Sequence, residues 1–507
     1  MIRRAMAFCL FLLALLFASC QASSSSSSVG SAAIARDDNS SGITEAVVPT
    51  FSLPYFSSDS LNPYSAVQST NFYLGSLLYD SLVSVDSAFS VTPVLAETMV
   101  HAGTRWTITL RQGLRFSDGS ALTAADVVSS YNAARSCSLY APRLSNVVSC
   151  SAKDNVTINF VLQQPDRLFD RNLTFPIVKG GSKASRAVGS GRYCFSPEEK
   201  PLSLIQNEYC ARKSSEIRRI NLVEVHRYSL LPYMTRIGSV NFVYTSLSDS
   251  QLKAASAKTA AVLQNDLVYI GVNSSHALLA NQDFRKAISL CADRAGILTD
   301  AFAGRGSSTA QPFHPKNESL SSADYTVDLF DSAAAQQLFA LAGLSQKNEA
   351  GVFLDAAGNP VTLRLLVNRD NSARLRAAQG LVQRLTAAGI GVELSETDDA
   401  TYNAQVAAHH YDLFIGEVKL TPSNDISRLL QPGALNACND GGETLTAYRQ
   451  FLSEEMSLSD FLRIFDVKTP FIPLLYKNAT AIYSGTLRNV GDVCDWEIFA
   501  GIDAWKF

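Results

Sequence analysis

The chain has 507 residues, of which 47% are hydrophobic and 18% charged, and its formal net charge is −3. That composition is globular, and the length suffices for roughly two or three domains around large buried cores. With no long basic block, the charge balance offers no case for nucleic acid as a partner.

The first segments of the chain read as targeting rather than fold. Met1 to Arg4 carry two positive charges, Ala5 to Phe17 form an apolar run of thirteen residues, and Phe17-Ala18-Ser19-Cys20 close it with small residues. A basic start, a short apolar core and a small-residue end describe an export signal. The apolar core is shorter than the about 20 residues that span a bilayer. Its last four residues resemble a bacterial lipobox, whose cysteine is acylated and becomes the new N-terminus. This predicts a signal peptide over 1–19, lipid on Cys20 and a linker over 20–43, in which the serine run Ser23 to Ser28 starts a disordered tether. The alternative is an ordinary cleaved signal with Cys20 incidental. No later apolar run is long enough for a membrane-spanning helix.

Trp106 to Leu110 alternates and predicts a strand, and Thr123 to Asp126 forms a Thr-x-x-Asp box that predicts a capped helix start. Val156 to Leu162, Leu202 to Gln206 and Ile220 to His226 have strand character. Farther on, Val361 to Val367 reads as a strand and Ser372 to Ala388 as a helix with Leu375, Ala378, Leu381, Val382 and Leu385 on one face. Gly389 ends that helix, Ile390 to Leu394 is a strand, Asp398 or Asp399 caps a helix to about His409, and Tyr411 to Ile415 is a third strand. This β-α-β-α-β order predicts an α/β fold with a parallel sheet, whose ligands bind beyond the carboxyl ends of the strands. Residues 416–421 are nominated for a binding cleft on that ground alone.

Seven cysteines follow Cys20, none in a C-x-x-C pair, so neither zinc nor a thioredoxin-like site is indicated. Disulfides are permitted outside the cytoplasm; Cys137 with Cys150 and Cys194 with Cys210 are the nearest pairs in sequence, and Cys291 reads as a buried hydrophobe.

The segment Arg111-Gln-Gly113-Leu-Arg-Phe116-Ser-Asp118-Gly119-Ser-Ala-Leu122-Thr123-Ala-Ala-Asp126-Val127 closely resembles a signature of the extracellular solute-binding proteins of peptide and nickel ABC importers, family five. Leu61-Asn62-Pro63, Leu78-Tyr79-Asp80, Pro93-Val-Leu95-Ala96-Glu97, Gly189-Ser-Gly191-Arg-Tyr193, Gly271-Val-Asn273, Phe284-Arg285-Lys-Ala287-Ile288 and Asp293-Arg294 follow that family's order. The resemblance covers roughly residues 45–485. It implies a two-lobed, periplasmic-binding-protein-like flytrap. The first lobe would be 44–265, with an accessory subdomain at about 81–184 and a return at 480–507; the second would be 266–479. Asp118-Gly119 reads as a turn and Thr123 as a cap, while Arg285, Asp293 and Arg294 read as structural ion pairs.

Many peptide-binding relatives carry an aspartate, within a Gly-Trp-x-x-Asp-Tyr-like segment, that pairs with the peptide's amino terminus. This chain reads Gly416-Glu417-Val418-Lys419-Leu420-Thr421-Pro422, without the tryptophan and with Leu420 where the aspartate is expected. Glu417 could serve an amine, Lys419 could receive a carboxylate or phosphate, or the two could pair with each other across one face of an extended stretch. Candidate ligand contacts are Glu417, Val418, Lys419 and Thr421, with Tyr55, Phe56, Tyr244 and Thr245 as further wall residues. His409-His410 suits a helix C-terminus better than a metal.

The reading that follows is a lipid-anchored, extracytoplasmic, monomeric substrate-binding component of an ABC importer. It would carry a peptide or small polar solute to a membrane permease, with no metal, cofactor or catalytic residue. A surface sensor built on the same flytrap is the alternative. An extracellular hydrolase ranks lower, because the chain has no G-x-S-x-G or H-E-x-x-H motif.

Overall fold

Two long antiparallel strands, Ala257–Val272 and Ile472–Ser484, run through the middle of the fold and tie its main cores together. The computed structural model describes residues 50–507 except 199, 213–214, 246–256, 321–329 and 492. The predicted signal, Cys20 and the linker lie outside the described residues.

Toward one end of the long strands, Val262, Ala479 and Ala481 pack in a core with Phe51, Leu77, Tyr193, Leu204, Ile220 and Trp505. This core is covered by a four-stranded sheet in which Phe51–Tyr55 pairs in parallel with Arg219–Glu224, followed by Ser203–Gln206 and Tyr193–Phe195. A separate core built wholly from residues between Leu82 and Ile177 sits under the antiparallel strands Ala96–Ala102, Arg105–Leu110, Thr157–Leu162 and Val147–Ala152.

Toward the other end, side chains of Ala257–Val272 alternate between two cores on opposite faces of the large sheet. Val268 and Ile270 pack on one face; Leu267 and Tyr269 pack on the other. A sheet with both faces covered demands such apolar runs. Its order beyond the long strands is Leu413–Lys419, Thr362–Asn368, Gly391–Thr397, and those three strands are mutually parallel as the β-α-β-α-β pattern predicts. Gly271 is required here, because a Cβ would lie 2.0 Å from the Phe414 ring.

Local signals in the sequence are met closely. The helix Ser372–Ala388 has its predicted ends, with Gly389 at φ 103° in the left-handed region that glycine adopts freely. The Thr123–Asp126 capping box forms, and Asp398 caps Asp399–Ala407 through the Thr401 amide. His409 stands just past that helix at φ 56°; its amide and that of His410 donate to the Val406 and Gln405 carbonyls, while its Nε2 lies 3.1 Å from the Gly433 carbonyl, away from the helix end.

Two expectations are revised. Arg285 is structural but holds main-chain carbonyls of Leu279, Ala280, Lys468 and Thr469. Arg294 likewise holds the carbonyls of Ser289, Ala292, Thr309 and Pro473, and Asp293 takes part in an ion pair, at 2.6 Å from Arg384. The seven described cysteines are all thiols. Cys150 stands opposite Phe160 and Cys194 opposite Ile205 across strands, and Cys137 and Cys150 pack against the same core without bonding. Burial pushes the Cys150 thiol up to about 12.

Candidate ligand site at the junction of the cores

Where the two long strands pass from one core to the next, their register breaks. Leu263 pairs with Asn478 and Asp266 with Lys477, so Gln264 and Asn265 form a bulge. A bulge twists a strand and re-aims its side chains. Both residues are buried and occupied: Gln264 Nε2 donates to the Tyr244 hydroxyl at 3.1 Å, and Asn265 Nδ2 donates to the Thr421 carbonyl at 2.8 Å.

The strand predicted to end at Ile415 continues to Lys419, because Leu413–Lys419 keeps its antiparallel partner after its parallel pairing with Thr362–Asn368 stops at Phe414. Residues 416–419 are therefore strand, and only Leu420 and Thr421 lie beyond it. The register sets Lys419 opposite Asp266 and Glu417 opposite Val268, two residues on, so these side chains share one face.

That face carries a cluster of charge. Lys477 pairs with Glu417 and lies 3.4 Å from Asp266, and Lys419 pairs with Asp495. Glu417 and Lys419 thus each find a partner from the long strand or the C-terminal stretch, not each other. The Asp495 side chain is fully buried while that of Lys419 is 54% exposed. The stretch around Asp495 is fixed on every side. Its amide donates to the Leu263 carbonyl at 2.9 Å, Trp496 Nε1 donates to Val85 at 2.8 Å, and Glu497 receives Arg212, which also meets Asp80 at 2.9 Å.

Of the other predicted wall residues, Tyr244 is in the neighbourhood, edge-on to Tyr73 at 4.8 Å. Burial raises both phenols, with Asp495 adding to each. Thr245 is buried beside it at the end of Phe242–Thr245. Val418 turns to the opposite face and packs into a core. Tyr55 packs against the core of the first sheet, and Phe56 is buried with Val225, Leu231 and Val243, so neither is brought to the charged cluster. A cavity of about 50 Å³ begins at Trp496 and Tyr73 and is also lined by Tyr140, Arg212 and Glu497.

Sequence reasoning missed Asp266, Lys477 and Asp495. One signal was present: Gln264-Asn265-Asp266 and Lys477-Asn478 are polar interruptions in otherwise apolar strands. Among the described residues, no three His, Cys, Asp or Glu side chains converge as a metal site.

Burial pushes the Asp266 carboxyl up to about 6, against the opposing pull of Lys419 and Lys477. Its ordinary value is about 4, so between about pH 4 and 6 the folded state holds more protons than the unfolded one. This group therefore lowers stability as pH rises through that window. Asp266→Asn should flatten the descent in thermal melts taken across it; an unaltered profile would assign the descent to other groups.

The cores strung along the long strands make a two-lobed fold, with the charged cluster where those strands pass from one core to the next. A solved nickel ABC transporter protein from Bacillus halodurans has this fold, with a TM-score of 0.73 at 19% identity over 89% of this chain and 98% of that one. The chain belongs to the bacterial extracellular solute-binding proteins of family 5, whose middle-region model matches residues 90–432. It is 24% identical over 354 residues to the oligopeptide-binding protein AppA of Bacillus subtilis (strain 168), covering 62% of this chain and 63% of that protein. It is 23% identical over 304 residues to the glutathione-binding protein GsiB of Salmonella paratyphi A, covering 56% and 59%. The chain thus spans about three fifths of the length of these curated relatives.

Proposed function

We propose that this chain is the substrate-binding component of an ABC importer, capturing a peptide or another small polar solute between its lobes for delivery to a membrane permease. Its work is binding and release, not catalysis. The observation that carries the reading is the cluster Asp266, Glu417, Lys419, Lys477 and Asp495 at the crossing of the long strands, where lobe closure excludes water and strengthens charge recognition. Relatives named for oligopeptides and glutathione favour a ligand with both amine and carboxylate groups.

The same reading places the lobes at 44–265 with 480–507 and at 266–479, the subdomain at about 81–184, and a monomeric body outside the cytoplasm. Its anchor would be lipid on Cys20, after removal of residues 1–19. Cys20→Ser should then release the protein from the membrane fraction.

The direct test is a thermal-shift screen of the purified protein against di- to hexapeptides, glutathione, amino acids, sugars, nickel chelates and phosphorylated metabolites. A ligand bound only by the folded state raises the melting temperature with concentration. Saturable stabilisation by a peptide supports the reading. A response confined to sugars or to nickel chelates removes the peptide class.

A further inference from the structure

We propose that Asp495 is the ligand's anchor and that Lys419 is a tethered place-holder, so that binding exchanges the lysine for a protonated amine or guanidinium of the ligand. The inference rests on the binding reading above and names the chemistry that the site would take.

Three observations lead to it. Asp495 is buried to 2% exposure, yet its Oδ1 has no hydrogen-bond partner among the described residues. A buried carboxylate oxygen left without a donor is costly, and such groups in a cleft are normally completed by something that binds there. Second, the carboxylate's ion-pair partner among the described residues, Lys419, is the more adaptable member of the pair: a long, rotamer-rich side chain more than half exposed, against a fully buried acid on an anchored stretch. Third, among the described residues the cluster holds one more carboxylate than ammonium group. Asp266, Glu417 and Asp495 supply three negative charges, while Lys419 and Lys477 supply two positive ones. Arg143 feels the Asp495 charge at longer range, but its guanidinium donates to Thr174 Oγ1 at 2.9 Å and lies over the Tyr140 ring at 5.2 Å.

The exchange has a route. Strand register puts Lys419 directly opposite Asp266, whose Oδ1 also lacks a hydrogen-bond partner among the described residues. A ligand cation arriving at Asp495 would turn the Lys419 ammonium toward Asp266 and not strand it in the cleft. Asp495 comes from the C-terminal stretch and Lys419 from the large sheet, so the pair bridges the elements that move apart when a flytrap opens. The side chain that competes with the ligand is thus also one that holds the empty protein shut.

The test compares a random tri- to pentapeptide library with the same library acetylated at its α-amino groups and with its lysine and arginine positions omitted. Thermal shift and calorimetry are run on the wild type, Asp495→Asn and Lys419→Met. The free library should bind the wild type and the acetylated one at least tenfold more weakly. Asp495→Asn should lose that preference, and Lys419→Met should bind the free library several-fold more tightly, since a competing cation is gone. Far-ultraviolet circular dichroism of both variants checks that they fold. Equal binding of the two libraries to the wild type, or an unchanged preference in Asp495→Asn, overturns the anchor while leaving the binding function intact. Weaker binding by folded Lys419→Met overturns the place-holder. Failure of both libraries to bind the wild type overturns this inference together with peptide binding.

Discussion

Arg294→Met is expected to remove about 3–5 kcal/mol of native stability, the largest effect of any single polar substitution considered. The guanidinium is buried to 1% and donates to the carbonyls of Thr309 at 3.0 Å, Pro473 at 2.8 Å, Ser289 at 2.9 Å and Ala292 at 3.3 Å. Burial lowers its pKa to about 10, so it remains a cation held by main-chain dipoles. Methionine fills similar length with no donors, so the carbonyls lose the guanidinium, although that of Ser289 keeps the Ala292 amide at 3.2 Å; each buried acceptor left unpaired costs about 1–3 kcal/mol before relaxation. The damage should be regional. Trp106 and Trp505 lie in other cores, so urea unfolding should show the helical circular dichroism failing before tryptophan fluorescence changes. A wild-type midpoint by both probes would mean that water replaces the guanidinium at little cost.

Lys477→Met is expected to cost about 2–3 kcal/mol, less than a wholly buried ion pair because the lysine side chain keeps some exposure. Burial alone would push the Lys477 ammonium down, but Glu417 and Asp266 outweigh it and raise it. Removing the cation leaves two carboxylates, 10% and 23% exposed, repelling each other at the bulge. Lys477→Met combined with Glu417→Gln should recover about half of the loss, and a double-mutant cycle by urea denaturation isolates the coupling. Strict additivity of the two substitutions would place the cost in lost packing of the lysine stem.

What the sequence made legible is what its neighbours in sequence decide. The helix Ser372–Ala388 announces itself through a periodic apolar face and a terminal glycine, and the Thr123 box is complete within four residues. The parallel strands followed from a pattern repeated over a short span. The site did not, because its partners are far apart along the chain: Lys419 and Asp495 are 76 residues apart, Glu417 and Lys477 are 60. Strand alternation told that Glu417 and Lys419 share a face but not which strand lies beside them. The missing partner strand also explains why the third parallel strand was read too short. The carbonyl partners of Arg285 were missed for a related reason, since a carbonyl that accepts from a side chain leaves no mark in the residue type.

The contribution of Trp505 fixes an order of events in the making of the molecule. Its ring packs against Phe242 at 4.9 Å and Phe51 at 6.1 Å, joining the last residues of the chain to its first described strand. A chain emerges from the ribosome N-terminus first. The core between Leu82 and Ile177 can close early, since all its parts are at hand. The core around Phe51 must wait for Ile498, Phe499, Ile502 and Trp505. Asp495 arrives in the same stretch, so the charged junction is assembled only after the other strands and helices that meet there have been made. A polypeptide halted before residue 495 would hold most of these sheets and helices and yet lack the buried carboxylate of the charged junction.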